Sequence, residues 1–204
     1  MAIKKLHYLI YTELQVLYYA IFGWFKSPAN IKNVTVYPYH KTSQLKMFVI
    51  VFAILIVLEG GLFHFVLQKW SHLAAWIFTV LNIYALLYIV GLYHSVRTLP
   101  HTIHAEKLVI RYGYQSSIEL DIKNIESLKN AKKQGVIEDK PPKDTYYALL
   151  QMDSPHYEIT LKEPILMKRS YGKSKWVKTV VFRADEPAAM REHIEAEMKL
   201  LNTE

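Results

Sequence analysis

Glu59 lies inside an apolar run, Met47–Leu67, with His64 five residues further on. Asn82 and Tyr84 lie in a second run, Leu73–Leu92. Carboxylate and imidazole are the side chains that carry protons or hold cations. A charged carboxylate in an apolar medium is costly, so Glu59 must be protonated, hydrogen-bonded or turned toward a polar cavity. The chemical reading is a proton or cation site built from Glu59, His64, Asn82 and Tyr84. The structural reading is a hydrogen bond that locks two helices, or an oligomer interface, and it is the default. Metal binding would draw on Glu59, His64, His72 and His94. A spacing of five puts Glu59 and His64 about 140° apart on a helix, and His94 belongs at the far end of its run, so no metal site is expected.

The second chemical candidate is basic: Lys168-Arg169-Ser170-Tyr171-Gly172-Lys173-Ser174-Lys175, followed by Lys178. Each cation held near an anionic leaflet contributes about 1 kcal/mol. The bland alternative is a solvated loop. Lys129, Lys132, Lys133, Lys140 and Lys143 form a weaker version, read as solvation. Gly172-Lys173-Ser174 lacks the upstream glycine and the strand-to-helix setting of a phosphate loop. There is no cysteine, and His7, His40, His101, His104, His156 and His193 assemble into no triad. No catalytic residue and no cofactor are therefore expected, and the chain is read as no enzyme.

The elements that must position these groups begin with a helical hairpin. Each apolar run is about 20 residues, the length that crosses a hydrocarbon core of about 30 Å. The link Gln68–His72 is short enough to force the two helices antiparallel. Residues at equal depth then have numbers that sum to about 142, which sets Glu59 level with Asn82–Tyr84 and His64 level with Phe78 and Thr79. Gly60 and Gly61 permit a close approach beside Glu59. Trp70 and Trp76 mark the outer interface, Tyr93 and Tyr88 the inner one. Lys4, Lys5, Lys26, Lys32, Lys41 and Lys46 precede the hairpin, Arg97 and Lys107 follow it, and Lys69 alone sits in the link. The basic side is cytoplasmic, so the C-terminal half is cytoplasmic too. Leu6–Phe25 is apolar and aromatic, but His7, Thr12, Glu13 and Gln15 interrupt it. It reads as a helix in the inner interface or against the hairpin, with a third crossing as the alternative. Thr42 or Ser43 is the expected cap of the first long helix.

From Thr98 the pattern changes. Pro100 ends the helix, and apolar residues begin to alternate. Strands are expected at 107–112, 117–122, 124–128, 146–152, 157–161, 164–166 and 176–182, with turns at 113–114, 153–155 and 171–174. The last element is a helix capped by Asp185, with Pro187 in its first turn and Met190, Ile194, Met198 and Leu201 on one stripe. The divisions are 1–45 (N-terminal helix and connector), 46–97 (transmembrane hairpin) and 98–204 (cytoplasmic α+β domain). A net charge of +7 in such a chain points to topology and anionic lipid, not to nucleic acid.

Leu108-Val109-Ile110-Arg111-Tyr112-Gly113, Ile118–Ile125 and Asp185-Glu186-Pro187 at the final helix resemble the pleckstrin-homology-like (PH-like) domains of bacterial membrane proteins. The resemblance implies an antiparallel β sandwich or barrel closed by a C-terminal helix. Tyr39-His40-Lys41, Glu59 with His64, Trp70-Ser71, Ala75-Trp76 and Leu81–Tyr84 are similar to small integral membrane proteins of Gram-positive bacteria. Some of these are described as carotenoid-cleaving oxygenases. Such enzymes hold iron with several histidines on a large propeller, for which this chain has no room. The expected function is a membrane-anchored, non-enzymatic module that binds anionic inner-leaflet lipid or a protein partner, in envelope maintenance. The alternative is a homo-oligomeric ion or proton transporter that uses Glu59.

Overall fold

The computed structural model describes residues 2–27, 34–132 and 142–201. The expectations for Lys32, Lys133 and Lys140 lie outside them. Helix α1 runs over Ala2–Phe22 and tightens into a 3₁₀ turn, Gly23–Phe25. Helices α2 (Leu45–Gln68) and α3 (His72–Thr98) are long and apolar enough to cross a bilayer. They pack as the antiparallel hairpin the short link demands. His64 Nδ1 lies 2.7 Å from Thr79 Oγ1, and the Phe63 and Phe78 rings are 5.3 Å apart. Gly60 packs against the Asn82 side chain. These pairs sum to 141–143, the depth register expected from equal helical rise. Ser71 caps α3 by accepting from Ala74 N–H at 3.3 Å.

Helix α3 outlasts its apolar run, as the stop expected at Pro100 requires. It continues to Thr98, where Leu99-Pro100 ends it, and Leu92, His94, Ser95, Val96 and Thr98 are buried in this extension. Its last two turns thus belong to the packing of the β-domain.

That domain holds one mostly antiparallel, eight-stranded sheet: β1 (Thr35–Tyr37), β2 (His101–His104), β3 (Lys107–Tyr112), β4 (Ser116–Asp121), β5 (Ile125–Asn130), β6 (Thr145–Ala148), β7 (Tyr157–Arg169) and β8 (Ser174–Phe182). The order is β1-β2-β3-β4-β7-β8-β6, with β5 also on β7, and the path is open. The segments expected at 157–161 and 164–166 are one strand. An irregularity between Thr160 and Ile165 bends β7, so that its first half pairs with β5 and its second with β4. Asn124 holds the bend through both the N–H and the C=O of Glu163, each at 2.9 Å. The strand expected to reach Met152 ends at Ala148, where its parallel partner β8 ends at Phe182. β1 comes from the connector between α1 and α2, so residues before the hairpin complete the sheet.

Helix α4 (Pro187–Leu201) closes the domain. Met190 and Ile194 are fully buried in the core of the domain, with Met198 and Leu201 packed against it. Asp185 does not cap this helix, since its carboxylate turns to the connector. Its Oδ1 accepts from Thr42 N–H (2.8 Å) and Oγ1 (2.7 Å), and its Oδ2 from Lys41 N–H (3.0 Å). Neither Thr42 nor Ser43 is the N-cap of α2: Gln44 holds that position without a side-chain cap, Ser43 Oγ accepts from Leu45 N–H at 3.0 Å, and Asp153 takes Gln44 N–H at 2.8 Å.

Candidate functional site at the junction of helices and sheet

The four polar residues of the hairpin do not converge. Glu59 is exposed on the outer face of α2. His64 pairs with Thr79, and Asn82 donates to its own helix at Phe78 O, 3.0 Å away. Tyr84 leaves the hairpin altogether and donates to Glu13 Oε2 of α1 at 2.5 Å. Tyr171 donates to Glu13 Oε1 at 3.2 Å. One carboxylate therefore ties α1, α3 and the β7–β8 turn together.

The turn itself is built to be moored. Tyr171 and Gly172 both have positive φ, 60° and 65°. A two-residue turn of this kind matches the twist of a hairpin, but it strains a non-glycine residue by about 1 kcal/mol. Two bonds to α1 hold Tyr171 there: its N–H donates to Thr12 Oγ1 at 3.0 Å, and its hydroxyl meets Glu13. Gly172 also lies against the Tyr8 ring, where a Cβ would clash. Behind the turn, Ser170 donates to Tyr114 O (3.0 Å), and Gln115 donates to Tyr88 Oη (2.9 Å).

The basic residues of this hairpin fall on different faces. Leu166 pairs with Trp176 and Lys168 with Ser174, so strand alternation puts Leu166, Lys168, Trp176 and Lys178 on one face. Met167 pairs with Lys175, and Lys175 donates to Thr145 O at 2.8 Å. Burial and the neighbouring Arg169 hold the Lys175 ammonium below its usual pKa. Arg169 shares that face, and Lys173 stands exposed at the tip. Lys168 and Lys178 therefore share a face with Trp176, and Lys173 is exposed at the tip between the two faces.

No family model, no curated protein and no solved structure matches this chain.

The site rests on its own geometry, which includes a clamp beneath α2. Arg183 and Asp153 form a buried ion pair at 3.1 Å. Arg183 also donates to Thr42 O (2.8 Å) and Oγ1 (2.9 Å). Burial works against the charge of Asp185, but the donors at Thr42 and Lys41 outweigh it and lower its pKa. Beside the clamp the His101 ring stacks on Tyr39 at 4.2 Å, and Tyr39 Oη accepts from Gly113 N–H at 2.8 Å. Among the described residues no group of His, Asp and Glu side chains is arranged to hold a metal ion. The arrangement fixes helices to sheet and aims one hairpin along α1.

Sequence reasoning missed Glu13, Tyr171, Asp153 and Arg183 as partners. Two signals were present. Glu13 interrupts an apolar helix, and Arg183 follows an apolar strand end, where a charge needs a counter-charge.

Proposed function

We propose that this chain is a membrane-anchored, non-enzymatic module, with α2 and α3 crossing the bilayer and a PH-like domain at the cytoplasmic face. That domain binds anionic lipid of the inner leaflet in preference to a protein partner, in a role of envelope maintenance. The β7–β8 tip carries the reading. Leu166 and Trp176, 42% and 65% exposed, are cross-strand neighbours flanked by Lys168 and Lys178. Apolar anchors with cations at the rim suit an anionic interface. Glu13 ties this tip to α1 and to α3 through the Tyr171 and Tyr84 hydroxyls. The free face of α1 beside it exposes Leu9, Tyr11, Leu14, Tyr18 and Phe22.

The test uses the full chain in lipid nanodiscs with Trp176 as the sole tryptophan. Brominated anionic lipid should quench Trp176 more than brominated neutral lipid, and added salt should shrink the difference. Lys168→Gln with Lys173→Gln should remove it. Equal quenching by both lipids at all salt concentrations would sink the lipid reading and leave a protein partner.

The second reading, an oligomeric proton or ion pathway, is favoured by one observation. Glu59 faces outward from α2, so only a second copy could enclose it. Glu59→Gln should then abolish flux in proteoliposomes, whereas the anchor reading expects the variant to behave as the parent.

A further inference from the structure

At the cytoplasmic end of α1 a cavity of about 470 Å³ is lined by Trp24, Phe25, Lys26, Ser27, His40, Lys41 and Arg97. Its size falls in the range of small-ligand pockets. Among the described residues its polar side chains are cationic or neutral, with no carboxylate in the lining. Arg97 spends one nitrogen, Nη2, on three carbonyls: Gly23 (2.6 Å), Trp24 (3.3 Å) and Lys26 (3.1 Å). Among the described residues its Nε is buried without a partner, and so is His40 Nδ1. Unpartnered buried donors are costly unless a ligand or water meets them. Asp185, the carboxylate whose charge reaches His40, is already saturated by Thr42 and Lys41 N–H.

Apolar surface adjoins this basic cavity. Trp24 and Phe25 are 62% and 87% exposed. A shallow groove along α1, lined by Tyr11, Leu14, Tyr18 and Phe22 among others, leads away from it. Lys26 Nζ sits 4.7 Å from the Tyr18 ring and joins the two. Arg97 lies five residues beyond Leu92, about 7 Å further along α3, which is headgroup depth if the hairpin crosses as proposed. We infer that the cavity binds the phosphate of an anionic phospholipid, with Lys26, Lys41 and the Arg97 guanidinium around the phosphate and one acyl chain along the α1 groove. This rests on the membrane-surface reading and names a site distinct from the β7–β8 tip.

Binding of phosphatidylglycerol, phosphatidylcholine and inorganic phosphate to the detergent-solubilised full chain is compared by native mass spectrometry. Phosphatidylglycerol should be retained over phosphatidylcholine. Lys26→Gln with Lys41→Gln should cut that retention at least about tenfold. Both side chains project from the surface, so folding is preserved, and an unchanged melting temperature verifies it. Arg97→Lys, which keeps charge but loses the planar edge, should weaken binding as well. Inorganic phosphate that binds as tightly as the lipid, and is lost in the same double variant, would make the site one for soluble phosphate and overturn the lipid assignment. Retention unchanged in Lys26→Gln/Lys41→Gln but lost in Lys168→Gln/Lys173→Gln would overturn the cavity proposal and leave the membrane-surface reading standing. No preference for phosphatidylglycerol in the parent would overturn both.

Discussion

His101 spends both ring nitrogens inside the sheet. Nε2 donates to Arg183 O at 2.9 Å, and Nδ1 accepts from Arg111 N–H at 3.2 Å. A second proton on Nδ1 would set donor against donor, and complete burial lowers the pKa from 6.5 to about 4. The unfolded chain takes up this proton first as pH falls. The stability contributed by neutral His101 is thus full above pH 6.5 and lost between 6.5 and about 4, on the order of 3 kcal/mol. His40 and His156, also lowered by burial, act in the same window, so the readout is a difference. In thermal unfolding between pH 4 and 8, His101→Gln should be less stable than the parent at pH 7, with the gap closing toward pH 4. A gap independent of pH would refute the assignment. The Asp153–Arg183 pair makes a sharper demand, because both side chains are nearly inaccessible. Asp153→Ala strands a buried guanidinium and uncaps Gln44 N–H, and should cost about 3–5 kcal/mol. Thr42→Val removes only hydroxyl contacts and should cost about 1 kcal/mol. Equal losses in denaturant melts would show that the ion pair adds nothing. Arg183 left a signal at its strand end, but its partner did not, because Asp153 reads as a turn residue and lies 30 positions away.

Helix α1 and helix α3 run in the same direction, since Glu13 meets Tyr84, Val16 and Ala20 meet Gly91, and Gly23 meets His94. Gly91 makes this approach possible, because a Cβ there would stand 2.6 Å from Val16 O. Gly91→Val should therefore lift α1 from α3 and weaken the mooring of Tyr171. In a variant with Trp24 as its sole tryptophan, whose ring lies 4.4 Å from His94, emission should rise as the contact opens. Gly61→Val, at a position open to its surroundings, should leave emission unchanged. Loss of contact in neither variant would mean that α1 is held by Glu13 and Thr12 alone. Elements set by local pattern were readable: the two long helices from length, β3 and β4 from alternation, α4 from its stripe. The placement of α1 was not, because Thr12 and Glu13 find their partners about 160 positions away at Tyr171. The same distance hid the split of the basic hairpin, since strand register decides which lysines share a face.

At the scale of the whole molecule the helices and the sheet are one packed unit. β1 precedes the hairpin, the end of α3 is buried in the domain, and the connector is clamped by Asp153, Arg183 and Asp185. Removing residues before Thr98 would therefore strip Tyr37 and Tyr39 from the core, so binding has to be measured on the full chain. This unity also makes topology a single question. If α2 and α3 cross as proposed, the connector and the domain lie on one side of the bilayer and the Gln68–His72 link on the other. Lysine placement supplies the sign: Lys26, Lys41 and Lys46 stand on the domain side, against Lys69 alone in the link. The chain has no cysteine, so single cysteines report cleanly. In intact cells an impermeant maleimide should label Lys69→Cys and spare Lys178→Cys until the membrane is opened. The reverse pattern would put the β-domain outside and remove both proposed inner-leaflet contacts. Lys4→Cys then decides α1. Because α1 packs parallel to α3, a third crossing would carry Lys4 to the side of the link, with two lysines outside against the charge rule, whereas labelling of Lys4→Cys together with Lys178→Cys would mean that α1 leaves α3 in the membrane. In either case Trp24, Lys26 and Arg97 stay at the end of the helices that packs on the β-domain, which the proposed topology makes cytoplasmic and where the headgroup cavity needs them.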